Sequence, residues 1–222
     1  MAARINAFYW LVQKTVWLGL RLKYRLEVHG AARIPRKGGV ILVANHCSYL
    51  DPPVVGMASP LRPVRFMGRD TLNSNPVARW FFPRVGLISL DRTKGDLGAM
   101  RTALGVLKNG EVLGLFPEGT RSPTGKLQAA KGGIGFLLAK SGVPVVPLYV
   151  KGTYEAFPKG AKGLRPGKIE VTVGEPIPPE TIAGLTPKGA KADYGAVGAF
   201  VMRKIAETGG VAAPGEAARA PQ

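Results

Sequence analysis

Residues 39–51 read GVILVANHCSYLD. An unbroken apolar run followed at once by a polar cluster marks a strand buried on both faces that ends in a loop rich in chemistry. Short runs of the same kind recur at 64–68 (VRFMG), 86–90 (GLISL), 112–116 (VLGLF), 143–150 (VPVVPLYV) and 168–173 (KIEVTV). Helical stretches separate them. In NSNPVARWFF, Asn75 is placed to cap and Pro76 to take the first helical position. In DLGAMRTALGVLKNG, Asp96 serves as the cap, Leu97, Met100, Leu104 and Leu107 follow at helical spacing, and Asn109-Gly110 is the stop. The alternation predicts an α/β fold with a largely parallel, mixed sheet flanked by helices.

In such a fold, function collects in the loops after the carboxyl ends of strands. Those loops here hold NHCSYLD, DRTKGD and PEGTRSPTGK. Adjacent side chains on extended backbone point apart, so Cys47 is poorly placed to hand a proton to His46. Its bland role is that of a small buried side chain. Ser48 suits a local turn hydrogen bond. His46 and Asp51 are the better pair. With the strand ending at Asn45 and a helix starting near Ser48, the turn brings the carboxylate to one ring nitrogen and leaves the other free to accept a proton. Alone, this spacing is equally consistent with a structural histidine.

Further cations weigh against that reading. FPEGTRS, residues 116–122, sets Glu118, Gly119 and Arg121 on one tight turn, where glycine permits close backbone approach and arginine can grip a phosphate with two nitrogens. LDRTKG, residues 90–95, adds Arg92 and Lys94, while Lys126 and Lys131 precede the glycine-opened helix start GGIGFLLAK, a place for an anion. A base beside several phosphate-sized cationic sites describes transfer chemistry on a phosphorylated alcohol.

The 222 residues carry 31 Lys+Arg against 14 Asp+Glu, a formal net charge of +17, which calls for an anionic partner. Nucleic acid is not the expected partner, because no zinc-finger, basic-zipper or ribonucleoprotein signature is present and the aromatics concentrate near the N-terminus. The single cysteine excludes an intramolecular disulfide framework and a cysteine zinc site, and no metal is expected. Residues 1–27 read as an amphipathic membrane-associated helical segment. Lys14, Arg21 and Arg25 fall within roughly 40° of one another around the helix, beside Trp10 and Trp17, which suits a membrane interface. Its charges argue against a spanning helix and no secretory cleavage site follows it. Residues 28–207 form the expected main domain, including a final helix over 186–207 of unassigned role, and 208–222 a disordered tail.

Taken together, the motifs resemble those of the glycerolipid acyltransferase family, and within it the bacterial 1-acylglycerol-3-phosphate acyltransferases. NHCSYLD matches the family's Asn-His, four residues, Asp motif. GLISLDR, FPEGTRS and VPVVPLYV match its second, third and fourth motifs in order, over roughly residues 30–178. The resemblance implies a glycerol-3-phosphate acyltransferase-like fold. It implies that His46 deprotonates the acceptor hydroxyl and Asp51 orients it, with no acyl-enzyme. It further implies that Arg92, Glu118, Gly119 and Arg121 hold the glycerol phosphate, that Lys94, Lys126 and Lys131 are secondary anion contacts, and that Pro144 and Pro147 shape the acyl-donor side. A thioester is already activated, so positioning and base catalysis can carry the rate, with oxyanion donors expected among the backbone N–H groups from Cys47 to Leu50. The implied substrates are lysophosphatidic acid and acyl-CoA or acyl carrier protein, with no cofactor, at the cytoplasmic face of the cell membrane. A lyso-ornithine lipid or another lysolipid as acceptor, a thioesterase, and a basic membrane- or nucleic-acid-binding protein without catalysis are the competing readings.

Overall fold

The computed structural model describes residues 7–69, 75–90, 95–186 and 193–215. The apolar run of GVILVA forms β2 (Val40–Ala44), every residue of which is buried. It lies between β5 (Val112–Leu115) and β6 (Val145–Lys151) and is parallel to both. Beyond β5 come β3 (Val64–Arg69) and β4 (Leu87–Leu90), also parallel. Beyond β6 the sheet becomes mixed, because β7 (Glu170–Val173) runs antiparallel to β6 and pairs in parallel with β1 (Glu27–His29). The resulting order is β1-β7-β6-β2-β5-β3-β4.

Helices cover both faces, which is why β2 shows no apolar-polar alternation. Val40, Leu42 and Ala44 enter a core shared with α1 (Ala7–Tyr24) and α2 (Asp51–Met57), where Leu20, Tyr24 and Val54 meet them. Ile41 and Val43 point the other way. They meet Ala103 of α4 (Gly95–Lys108), Leu138 of α5 (Ile134–Ser141) and Val201 of α8 (Tyr194–Gly209). The short helices α6 (Thr153–Ala156) and α7 (Pro179–Gly184) lie on the loops beside β6 and β7. In α3 (Pro76–Arg84) the Asn75 side chain accepts the Ala78 N–H at 2.8 Å and Pro76 opens the helix, as the local sequence requires. α4 begins at Gly95, one residue before the expected cap Asp96.

Two ends differ from the sequence reading. The N-terminal helix stops at Tyr24, because Arg25 takes a left-handed backbone (φ 48) that turns the chain into β1. A boundary at 27/28 therefore cuts through a strand, one too short at three residues to show a period. At the other end, α8 starts at Tyr194, with the Asp193 carboxylate accepting the Ala196 N–H, and runs to Gly209. Beyond it, Ala213 is buried.

The sheet is clamped below the site by Arg62, whose guanidinium donates to the carbonyls of Pro35, Gly38 and Gly110. These carbonyls lie in the segments leading into β2 and β5, so the clamp sets one strand against the other. Arg62→Met would leave three acceptors without their charged donor. It is expected to cost about 2–3 kcal/mol, read as a lower urea midpoint with an unchanged slope.

Candidate active site

The end of β2 is pinned before the loop begins. Buried Asn45 donates to the Val150 carbonyl at 2.8 Å and accepts the Val150 N–H at 2.7 Å, imitating one more ladder pair between β2 and β6. His46 follows, with its Nδ1 2.8 Å from Asp51 Oδ2. A carboxylate only accepts, so Nδ1 carries the proton and Nε2 presents its lone pair. No described residue hydrogen-bonds Nε2, and the ring, 18% exposed, borders an open cleft of about 300 Å3 with Met67, Met100, Phe116, Gly119 and Gly133.

Asp51 is fully buried, so its charge must be met by hydrogen bonds. Oδ2 accepts the Cys47 and Ser48 N–H groups, each at 2.7 Å, in addition to the imidazole. Its place in the first turn of α2 adds the favourable end of the helix dipole. The helix starts at Asp51 rather than near Ser48, and the intervening residues form the turn that returns the carboxylate to the ring. That turn uses three of the four donors expected for an oxyanion, leaving the Tyr49 N–H without an acceptor among the described residues. Cys47 and Ser48 give their N–H groups to Asp51, and the Leu50 N–H goes to Ser48 Oγ at 3.1 Å.

Cys47 is buried, its sulfur 3.3 Å from Thr153 Oγ1 and 3.9 Å from Asp51 Oδ1. Burial, and then the neighbouring Asp51 carboxylate, push its thiol up to about 12. A thiol held neutral in this way is no nucleophile.

β5 delivers the second loop beside the first. Phe116 stacks on the His46 ring with centroids 4.2 Å apart, and Phe66 stacks in turn on Phe116 at 5.9 Å. Gly114 allows this column, since a Cβ there would run into the Phe66 ring. Gly119 has φ +64 and its missing Cβ makes room for the Lys131 stem, so Lys131 is held against the turn while its end stays exposed. Lys126 is exposed as well. The Ser122 N–H donates to the His46 carbonyl at 2.7 Å, tying the two loops together.

Glu118 is buried at 1% exposure, and burial raises its pKa above the ordinary carboxylate value. One oxygen accepts the His46 N–H at 2.9 Å and the other the Gln128 side-chain amide at 2.9 Å. Its contacts are thus within the protein, beneath the histidine. Arg121 lies with its Cζ 3.4 Å from the Tyr49 ring centroid, and its Nη1 is buried without a hydrogen-bond partner among the described residues. Arg92 and Lys94 lie outside the described residues. Pro144 offers its carbonyl to the Ile41 N–H, and Pro147, inside β6, borders a different cleft with Gly174 and Phe200. Among the described residues, no group of three or more His, Cys, Asp and Glu side chains could hold a metal ion.

A strand-end histidine held by a buried aspartate thus stands beside the loop of the neighbouring strand that carries Arg121. The acyltransferase family profile matches residues 25–151, more than half of the chain, and the chain belongs to that family. The chloroplastic 1-acyl-sn-glycerol-3-phosphate acyltransferase BAT2 of Brassica napus is 30% identical over 158 residues, covering 69% of this chain and 45% of that protein. The 1-acyl-sn-glycerol-3-phosphate acyltransferase of Bacillus subtilis is 24% identical over 169 residues, 76% of this chain and 82% of its own length. The crystal structure of PlsC from Thermotoga maritima, a 1-acyl-sn-glycerophosphate (LPA) acyltransferase, superposes with a TM-score of 0.72 at 28% identity, covering 96% of this chain and 81% of that one. The chain spans about half the length of the plant and algal relatives it matches.

Four residues of the site are not among those expected from the motifs. Asn45 stands inside the histidine motif and could have been noticed there. Tyr49, Gln128 and Thr153 carry no local signal, because their partners Arg121, Glu118 and Cys47 are remote in sequence or lie on other loops.

The geometry makes a definite forecast for the thiol. Cys47 stays protonated below its raised pKa, and the stability this contributes is fully present below the ordinary thiol range and is lost as the pH rises from there through about 12. The folded protein is therefore expected to resist iodoacetamide at pH 8 while the urea-unfolded chain reacts, followed by mass spectrometry. Cys47→Ala should retain most of the wild-type activity.

Proposed function

We propose that this chain is a 1-acylglycerol-3-phosphate O-acyltransferase, moving a fatty acyl group from acyl-CoA or acyl carrier protein to the free hydroxyl of lysophosphatidic acid to give phosphatidic acid. The observation that carries the reading is the His46 Nδ1–Asp51 contact of 2.8 Å, which leaves Nε2 without a described partner on a ring that borders an open cleft. Nε2 takes the hydroxyl proton as the oxygen attacks the thioester carbonyl carbon. The tetrahedral adduct collapses, the C–S bond breaks, and the departing sulfur recovers the proton from the imidazolium. Asp51 holds the tautomer throughout, and the reaction requires no side-chain nucleophile and no cofactor.

Arg121 is the acceptor's phosphate ligand in this scheme, joined by Arg92 and, at longer range, by Lys94, Lys126 and Lys131. Gly119 lets the phosphate approach backbone, and Glu118 acts from below by holding the His46 N–H. An apolar cavity of about 290 Å3, bordered by Tyr9, Val16, Pro52, Phe66 and Phe82, suits the acyl chain, and its Phe66 stacks on Phe116, which borders the His46 cleft.

A membrane role for the N-terminal segment has support of its own. No described helix is long and apolar enough to cross a bilayer. One face of α1 packs on the domain through Tyr9, Gln13, Leu20 and Tyr24, and Gln13 donates to the Gly56 carbonyl of α2. The other face leaves Leu11, Leu18 and Leu22 exposed by half or more, with Trp17 beside Arg21, and α3 adds Val77 and Trp80. Phe8 packs on Trp80 and links the two helices. This surface fits a peripheral or monotopic seat in anionic lipid, which the net charge of +17 favours.

Purified full-length protein supplied with acyl-CoA and lysophosphatidic acid should form phosphatidic acid, detected by mass spectrometry. His46→Ala is expected to lower kcat/KM by about 10²–10⁴-fold. A preference for a phosphate-free acceptor would overturn the substrate assignment, and thiol release without any acceptor would point to a thioesterase. Replacing Leu11, Leu18 and Leu22 together by Glu should abolish sedimentation with phosphatidylglycerol vesicles while leaving the far-UV circular dichroism unchanged.

A further inference from the structure

We propose that Tyr49 is a positioning residue for the phosphate of the acceptor, acting through Arg121; this deepens the reading above and rests on it. Tyr49 sits in the spacer between His46 and Asp51, yet none of the contacts that shape that turn uses its ring. The ring is 58% exposed, a wasteful position for a tyrosine that served packing alone. Its partner explains it. The Arg121 Cζ lies 3.4 Å from the ring centroid, so the guanidinium is stacked flat on the aromatic face.

A stacked guanidinium has one face occupied by the ring, while its in-plane N–H groups keep their hydrogen-bonding capacity. Their edge meets a phosphate with two parallel hydrogen bonds. Arg121 is otherwise poorly tethered: its Nη1 is buried with no hydrogen-bond partner among the described residues, a state that an arriving anion can relieve by drawing the group into a hydrogen-bonded arrangement. Without the ring, a long flexible side chain would have to be ordered at each binding event.

The stack is also anchored to the base. Phe157 backs Tyr49 at 6.1 Å, and its carbonyl accepts the Ser48 hydroxyl at 2.7 Å. On the other side of the stack, Ser122, next to Arg121, donates to the His46 carbonyl. Tyr49 and Arg121 thereby close a ring of contacts around His46. The distance between the phosphate-binding edge and Nε2 is set by that ring, and so is the span from phosphate to hydroxyl that the site accepts.

The test is steady-state kinetics on full-length Tyr49→Leu, Tyr49→Phe, Arg121→Met and the Tyr49→Leu/Arg121→Met double variant, in detergent micelles with lysophosphatidic acid and acyl-CoA. Tyr49→Leu should raise the KM for lysophosphatidic acid about 10-fold, with kcat and the KM for acyl-CoA within about twofold. Tyr49→Phe should behave as wild type, and in the Arg121→Met background the Leu substitution should add nothing. If Arg121→Met raises that KM but Tyr49→Leu does not, or if the two effects simply multiply, the positioning role is wrong while the phosphate assignment stands. If Arg121→Met leaves the KM unchanged, the phosphate assignment itself fails and takes this inference with it. A Tyr49→Leu variant that kinetically matches wild type in micelles but no longer sediments with vesicles would make the ring a lipid contact and overturn the proposal.

Discussion

One carboxylate oxygen organises this protein's chemistry. Asp51 Oδ2 accepts the His46 ring nitrogen and the N–H groups of Cys47 and Ser48, all within 2.8 Å. A buried charge is tolerated only when several donors converge on it, and here the donors are the loop itself. The same hydrogen bonds that satisfy the aspartate therefore fold the turn, fix the imidazole and choose its tautomer. Removing the carboxylate would release all three at once, so structure and reactivity at this loop are inseparable.

The loop after β5 makes that turn a site. Glu118 grips the His46 N–H from below, Ser122 takes the His46 carbonyl, and Phe116 covers a face of the ring. Histidine backbone and side chain are thus held from three directions. This depends on β2 and β5 being adjacent and parallel, so that both carboxyl ends open on the same side of the sheet. The Arg62 clamp at the opposite ends of these strands maintains the register on which the alignment relies.

The charge and the apolar surfaces divide the labour around this centre. Arg121 and the neighbouring lysines supply the cationic side. The exposed faces of α1 and α3 and the cavity beneath them supply the apolar side. The lysophospholipid acceptor proposed above, with a phosphate head and a hydrocarbon tail, matches both.

Much of this could be read without coordinates. Five strands appear as near-continuous apolar runs because both faces of the sheet are covered there, β7 appears as an alternating one, and the cap of α3 follows from Asn75-Pro76. The His46–Asp51 pairing was legible because its partners are five residues apart and one turn joins them. β1 was not, since three edge residues show no period and are defined only by pairing with β7 some 140 residues away. Glu118 was recognisable as belonging to the site, but its role was not: whether a carboxylate meets substrate or the protein's own backbone depends on burial, which motif spacing does not encode. Gln128 and the Tyr49–Arg121 stack belong to the same group. The sequence by itself determined the order of the longer strands and the main helices, the local turn and the chemical character of each loop, because these rest on periodicity and short-range hydrogen bonding. Only the tertiary structure decided which loops meet, since contacts across 72 residues, as between His46 and Glu118, exist only once the sheet has brought the strand ends together.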